Sequence, residues 1–88
     1  MFEIVYYGAS WCAPCEAYGP IFDSVAESTF GPQFRHYDVD VQTEEALADQ
    51  IDSLPTTIAK KDDGELFRYV GAMSEDSLRQ FITQAMAA

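Results

Sequence analysis

The strongest constraint in this sequence is a pair of cysteines separated by two residues, Cys12-Ala13-Pro14-Cys15, set where one hydrophobic spacing gives way to another. Before it, Phe2 to Tyr7 is nearly all apolar or aromatic and β-prone. A run without alternation suits a strand buried on both faces, as in the middle of a sheet. Gly8 to Trp11 reads as a loop. From Pro14 to about Thr29, Tyr18, Ile21, Phe22, Val25 and Ala26 recur at helical spacing. Gly19-Pro20 falls inside that helix. A proline there removes one backbone donor and crowds the preceding turn, so a kink is expected and not a stop. A strand entering a helix through a short loop opens a βαβ unit, and a CxxC at that junction reads as a redox motif.

Gly31-Pro32 closes this unit. Gln33 to Val41 reads as a second strand, ending in the acidic Asp38-Val39-Asp40. Thr43 is expected to cap a short helix, about Thr43 to Ile51, with Glu44 and Glu45 at the positive end of its dipole. Beyond Asp52-Ser53 and Leu54-Pro55, Thr56 to Lys60 is strand-like. Asp62-Asp63-Gly64 signals a hairpin turn, and Leu66 to Val70 returns as the partner strand. Gly71 breaks it. Ser74 caps a last helix with Glu75 and Asp76 in its first turn, whose buried stripe is Leu78, Phe81, Ile82 and Ala85. The order β-α-β-α-β-β-α predicts an α/β fold with one mixed four-stranded sheet flanked by helices. Its first two strands should be parallel through a right-handed crossover, and its last two an antiparallel hairpin. The 88 residues fit one domain, 1–88, with no repeat, low-complexity tract or linker.

Charge narrows the partners. Fifteen Asp and Glu against 5 Lys and Arg leave a formal net charge of −10. That argues against nucleic acid, whose phosphates need cations, and against an anionic membrane surface. The plain reading is a soluble, self-repelling surface; the sharper one is attraction to a basic partner protein. No apolar run approaches the ~20 residues needed to span a bilayer. No basic segment followed by an apolar stretch marks a secretory signal. Two cysteines do not make the disulfide framework of a secreted mini-protein. A cytoplasmic, reducing location and a monomeric state are therefore expected.

The position of the cysteines suits thiol chemistry. A cysteine at a helix N-terminus faces unpaired backbone N–H groups and the positive end of the dipole, both of which favour thiolate. Pro14 fits the first helical turn, where its missing donor costs little. The implied cycle has Cys12, nearer the helix start and expected to be the more exposed, attack a substrate disulfide. Cys15 then resolves the mixed disulfide and leaves Cys12–Cys15 oxidised. A separate reductant must restore the dithiol, and no cofactor or metal is expected. Zinc normally takes four ligands, and the only histidine is His36, so a closed zinc site within one chain is disfavoured; a zinc bridge between two chains stays open. As a structural staple the pair would do little, because it closes so short a loop.

Over nearly its whole length the chain resembles the thioredoxin family. The residues that carry the resemblance are Trp11-Cys12-Ala13-Pro14-Cys15, Pro20, Leu54-Pro55-Thr56 and Val70-Gly71-Ala72. The resemblance implies a minimal thioredoxin fold and a cis Leu54–Pro55 bond beside the sulfurs. It also implies that the Leu54 backbone pairs with an extended substrate segment. Trp11, Pro55, Gly71 and Ala72 would line an apolar groove around Cys12. The implied partners are a disulfide-containing substrate protein and an electron donor of the thioredoxin-reductase kind.

Several positions depart from that family. Its usual extra strand and helix ahead of the first strand are absent, so the outline is of glutaredoxin size. The glutaredoxin motif Cys-Pro-Tyr-Cys is missing, however, and Gly71 is followed by Ala72 where that group has a second glycine. Tyr6 stands where thioredoxins place a buried aspartate, and His36 where its lysine partner would be. In one arrangement Tyr6 and His36 hydrogen-bond near Cys15, with His36 as proton acceptor; the plainer expectation is a core tyrosine and a strand histidine. Ala13 replaces a usual glycine, and Glu16 opposes the thiolate. Ala13 and Pro14 offer no side chain to hydrogen-bond a thiolate, which favours a reducing couple. The expected activity is reduction of protein disulfides. Glutathione-dependent reduction and a binding subunit with incidental redox activity are the alternatives.

Overall fold

The computed structural model describes all residues, Met1–Ala88. Strand β1 (Phe2–Gly8) runs through the middle of the sheet. It lies parallel to β2 (Gln33–Asp38) and antiparallel to β3 (Thr56–Lys61), and β4 (Gly64–Val70) pairs antiparallel to β3. The strand order is β2-β1-β3-β4. Helices α1 (Ala13–Glu27), α2 (Thr43–Ala48) and α3 (Glu75–Ala87) complete the expected β-α-β-α-β-β-α order.

The apolar run of β1 is explained by its two covered faces. Side chains alternate across a strand, so Ile4 and Tyr6 point into a core shared with Tyr18, Phe22 and Val25 of α1 and Leu78, Phe81 and Ile82 of α3. Val5 and Tyr7 point the other way, into a smaller core with Ile58 and Ala46 of α2. Burying side chains of this size contributes roughly 1.5–3 kcal/mol each. The Tyr6 and Tyr18 rings meet edge to face, 5.0 Å between centroids, a geometry worth about 0.5–1.5 kcal/mol beyond burial.

The polar ends of the buried tyrosines are satisfied. Tyr18 shares a 2.7 Å hydrogen bond with Thr57 Oγ1, tying α1 to β3. Burial pushes the Tyr18 hydroxyl up to about 12, and Thr57 pulls slightly the other way. On the opposite face Tyr7 donates to Asp49 Oδ2 at 2.5 Å. Lys60 Nζ donates to both oxygens of the same carboxylate, at 2.7 and 2.9 Å. Burial, and next the bond to Asp49, drive the Tyr7 hydroxyl upward.

Most boundaries agree with the sequence reading, and the differences have local causes. Helix α1 continues through Pro20 without a break and ends at Glu27, not Thr29. Strand β2 ends at Asp38, not Val41, because the chain turns there. Asp40 N–H bonds the Asp38 carboxylate at 2.8 Å, and Gln42 N–H bonds the Asp38 carbonyl at 2.7 Å. Thr43 is the first residue of α2 rather than its cap, which is Gln42. The same helix stops at Ala48, not Ile51. Gln50 takes a left-handed φ of 55°, and the N–H groups of Gln50 and Ile51 bond back to Leu47 and Ala46. That is a Schellman ending built without glycine. Asp62 and Asp63, with φ of 52° and 70°, form the hairpin turn, so β4 starts at Gly64 and not Leu66. Ser74 caps α3 as expected, accepting from Ser77 N–H at 3.1 Å.

Candidate active site

The C-terminal end of β1 delivers the chain to the redox loop. Gly8 is required there because a Cβ would collide with the Tyr6 hydroxyl, which lies over it. Cys12 N–H bonds the Ala9 carbonyl at 3.2 Å and closes the loop. Cys12 is the N-cap of α1, Ala13 and Pro14 form its first turn, and Cys15 follows. The two cysteines are joined as a disulfide with Cα atoms 5.3 Å apart, within the ordinary range for such a bond. One helical turn thus brings the sulfurs together without displacing the helix. The N-terminal position supplies the dipole and free amides that favour a thiolate when the pair is open.

Cys12 is expected to be the more exposed of the pair; with the disulfide closed the two residues are equally exposed, each at 6%. Both cysteines belong to the same apolar cluster as Met73. Met73, on the loop before α3, was missed by the sequence reading because a single methionine in a loop carries no periodic signal.

Leu54 packs against the apolar cluster that holds both cysteines. Leu54–Pro55 is cis. Gly71 has a φ of 117°, a conformation that favours glycine. Its N–H bonds the Pro55 carbonyl at 2.7 Å, so the loop after β4 is pinned to the loop before β3. Pro55 is buried, Gly71 half-buried and Ala72 exposed. The backbone N–H and C=O of Leu54 make no hydrogen bond within the chain. Trp11 is 67% exposed, and its indole N–H is held by Asp40 at 2.8 Å. Val39, Ala46, Ile51 and Leu54 border a hollow of about 170 Å³ beside Trp11. Asp40 was also missed; only the folded turn after β2 brings it to the indole.

On the other side of the pair, Tyr6 and His36 do come together, but not through a hydrogen bond to each other. Their rings pack with centroids 4.4 Å apart. His36 Nδ1 bonds Asp23 Oδ1 of α1 instead, at 3.1 Å. Burial first, then the nearby Asp23 and Asp38 carboxylates, raise the Tyr6 hydroxyl and keep it neutral. These residues border an open cleft of about 320 Å³ that Cys15, Glu16 and Gly19 also line. No group of three or more His, Cys, Asp or Glu is placed to hold a metal ion. No helix is long and apolar enough to cross a membrane.

A closable dithiol at the start of a helix, beside a cis-proline loop on a four-stranded mixed sheet, defines a thioredoxin-fold thiol–disulfide oxidoreductase. The chain belongs to the thioredoxin family, whose profile matches residues 2–84. It is 33% identical over 84 residues to a protein named putative thioredoxin 2 from Streptomyces coelicolor, covering 96% of this chain and 63% of that one. It is 35% identical over 81 residues to thioredoxin of Mycoplasma pneumoniae, covering 92% and 79%. Among solved structures, thioredoxin of Fasciola hepatica superposes with a TM-score of 0.87 at 32% identity, covering 96% of this chain and 80% of that one.

Proposed function

We propose that this chain, acting as one domain over 1–88, reduces disulfides in other proteins, with Cys12 as attacking thiolate and Cys15 as resolving thiol. The observation that carries the reading is the Cys12–Cys15 disulfide at the N-terminus of α1. Cys12 holds the N-cap position, where dipole and amides act most strongly; Cys15 sits within the first turn. The free Leu54 backbone supports strand addition by an extended substrate segment. Trp11, Leu54, Pro55, Gly71 and Ala72 would form the contact surface around the reacting sulfurs. Exchange needs no cofactor beyond the disulfide, only an external donor of the thioredoxin-reductase kind, and a cytoplasmic setting would keep the pair reduced.

Two measurements test this. Cys15→Ser should accumulate a mixed disulfide through Cys12 when mixed with a disulfide-bonded protein, and Cys12→Ser should accumulate none. Equilibration with redox buffers should place the pair at a more reducing potential than the glutathione couple. Trapping through Cys15, or a potential at the oxidising end of the range, would refute the assignment of roles or of direction. Turnover only in the presence of glutathione would transfer the protein to the glutathione-dependent reading.

A further inference from the structure

The open cleft between α1 and the ends of β1 and β2 contains a buried polar group with no partner. Tyr6 is 1% exposed, yet its hydroxyl makes no hydrogen bond within the chain and opens into this cleft of about 320 Å³. The other two buried tyrosine hydroxyls are bonded, Tyr7 to Asp49 and Tyr18 to Thr57. A polar atom at such depth is costly to leave unpaired, so a group that enters the cleft and bonds it gains by doing so. Two glycines keep the space beside the hydroxyl free. A Cβ on Gly8 would collide with it, and one on Gly19 would stand 3.8 Å from it and 3.6 Å from His36 Cε1. The Gly19 distances are ordinary contacts, so packing does not demand glycine there, and glycine weakens a helix interior relative to alanine.

Around that hydroxyl stand Glu16 and Asp23 from α1 and Asp38 from β2, and no Lys or Arg borders the cleft. Arg35, beside His36 in sequence, points to the other face of the sheet and pairs with Glu3. Asp23 Oδ1 bonds His36 Nδ1 at 3.1 Å, and Asp38 Oδ1 accepts from the Asp40 N–H at 2.8 Å; Oδ2 of each accepts nothing from the chain. The carboxylates do not converge closely enough to ligate a metal ion. The cation they suit is one that spreads its donors, and a guanidinium is planar with five N–H groups. We propose that this cleft receives the guanidinium of an arginine side chain presented by a partner protein, with the Tyr6 hydroxyl as a buried acceptor and Glu16, Asp23 and Asp38 as counter-charges.

The occupant is a residue within a polypeptide and not the free amino acid. Free arginine would bring its own carboxylate to a cleft already lined by three, and like charges placed together are unfavourable. An arginine inside a chain brings none, and the open cleft lets its side chain enter while its backbone stays outside. A lysine ammonium carries its three donors on one atom and reaches fewer separate acceptors. The lining includes Ala9 and Ser10, on the loop that leads to Cys12, so an arginine seated there belongs to a partner docked against the redox end. The formal net charge of −10 adds long-range attraction for such a partner.

The test is an NMR titration of isotope-labelled protein, in its disulfide form, with blocked peptides of the form acetyl-Ala-X-Ala amide. X is arginine, lysine or citrulline, which keeps the shape of arginine without its charge. The arginine peptide should bind about tenfold more tightly than the citrulline peptide and about threefold more tightly than the lysine peptide. The largest shifts should fall on the amides of Gly8, Ser10, Gly19 and His36. Tyr6→Phe should weaken the arginine peptide about fivefold and leave the denaturation midpoint unchanged, because the hydroxyl holds nothing within the chain. Glu16→Gln, at an exposed helix position, should weaken it by a similar factor, and Gly19→Leu should fill the cleft and abolish binding. Arginine binding no better than lysine or citrulline overturns the proposal, as do shifts centred elsewhere or wild-type affinity in Tyr6→Phe. Free arginine binding more tightly than the blocked peptide overturns the assignment to a partner protein. The disulfide stays closed throughout, so these outcomes do not depend on the roles of Cys12 and Cys15.

Discussion

The two ends of the sheet are built on different terms. At the hairpin end, contacts are charged and paired. Met1 N bonds Asp62 at 2.5 Å, Arg35 pairs with Glu3, Lys60 with Asp49 at 2.7 Å, and Arg68 with Glu65 at 2.6 Å. The register places Arg35 opposite Val5, Lys60 opposite Glu3, Lys61 opposite Phe2 and Arg68 opposite Ile58. Arg79, the remaining cation, reaches Ser28 behind α1. At the redox end there is no Lys or Arg: residues 1–34, 36–59 and 69–78 contain none. What gathers there is irregular backbone, the sulfurs, an exposed indole and the carboxylates Glu16, Asp38 and Asp40. One end is fastened by side-chain pairs; the other is left with unpaired backbone and unbalanced negative charge.

The largest test removes the fastening. Asp49→Ala leaves the largely buried Lys60 ammonium and the Tyr7 hydroxyl without their acceptor, and should lower stability by about 2–3 kcal/mol in chemical denaturation. The rate of the Cys12–Cys15 reaction in the folded protein should not change. A loss of rate in step with stability would show that the two ends are not independent.

A smaller effect should sharpen the charge contrast. Two disulfide peptides, identical except for Lys and Arg or Asp and Glu flanking the disulfide, should be reduced at different rates. The cationic one should be faster by about tenfold at low salt, with the gap closing as ionic strength rises through the range where screening becomes complete. Equal rates at low salt would mean that the anionic end does not select its partners.

The smallest effect is at the hairpin. The Arg68 guanidinium holds the Glu65 carboxyl below its ordinary value. A lowered folded-state pKa contributes stability that is present above the unfolded carboxylate value, about 4.3, and is lost as pH falls through the lower folded value. Glu65→Gln should therefore cost a few tenths of a kcal/mol at neutral pH, since the pair is partly exposed. The difference should vanish in acid. Denaturation midpoints measured across that range read it directly.

How much of this was legible depends on which end is considered. Strand β1 and helices α1 and α3 announce themselves through apolar runs, helical spacing and the Ser74 cap, since each follows from contacts local in sequence. The ending of α2 does not, because Gln50 takes a left-handed conformation with no glycine to signal it. At the site, the cysteines could be placed from spacing and position alone. The equal burial of the two cysteines in the closed pair, the Asp40 hold on Trp11 and the His36–Asp23 bond could not. Each joins segments separated by a turn or a helix, and their side chains carry no pattern until the sheet sets their register.

Pro20 has a mechanical consequence. It lies inside α1 and has no N–H to offer the Glu16 carbonyl, so one rung of the helix ladder is missing just below the turn that carries both sulfurs. Below that gap, Phe22 and Val25 are clamped in the core. Above it, the turn that carries both sulfurs is joined to the body of the helix by one backbone hydrogen bond fewer than an unbroken ladder would supply.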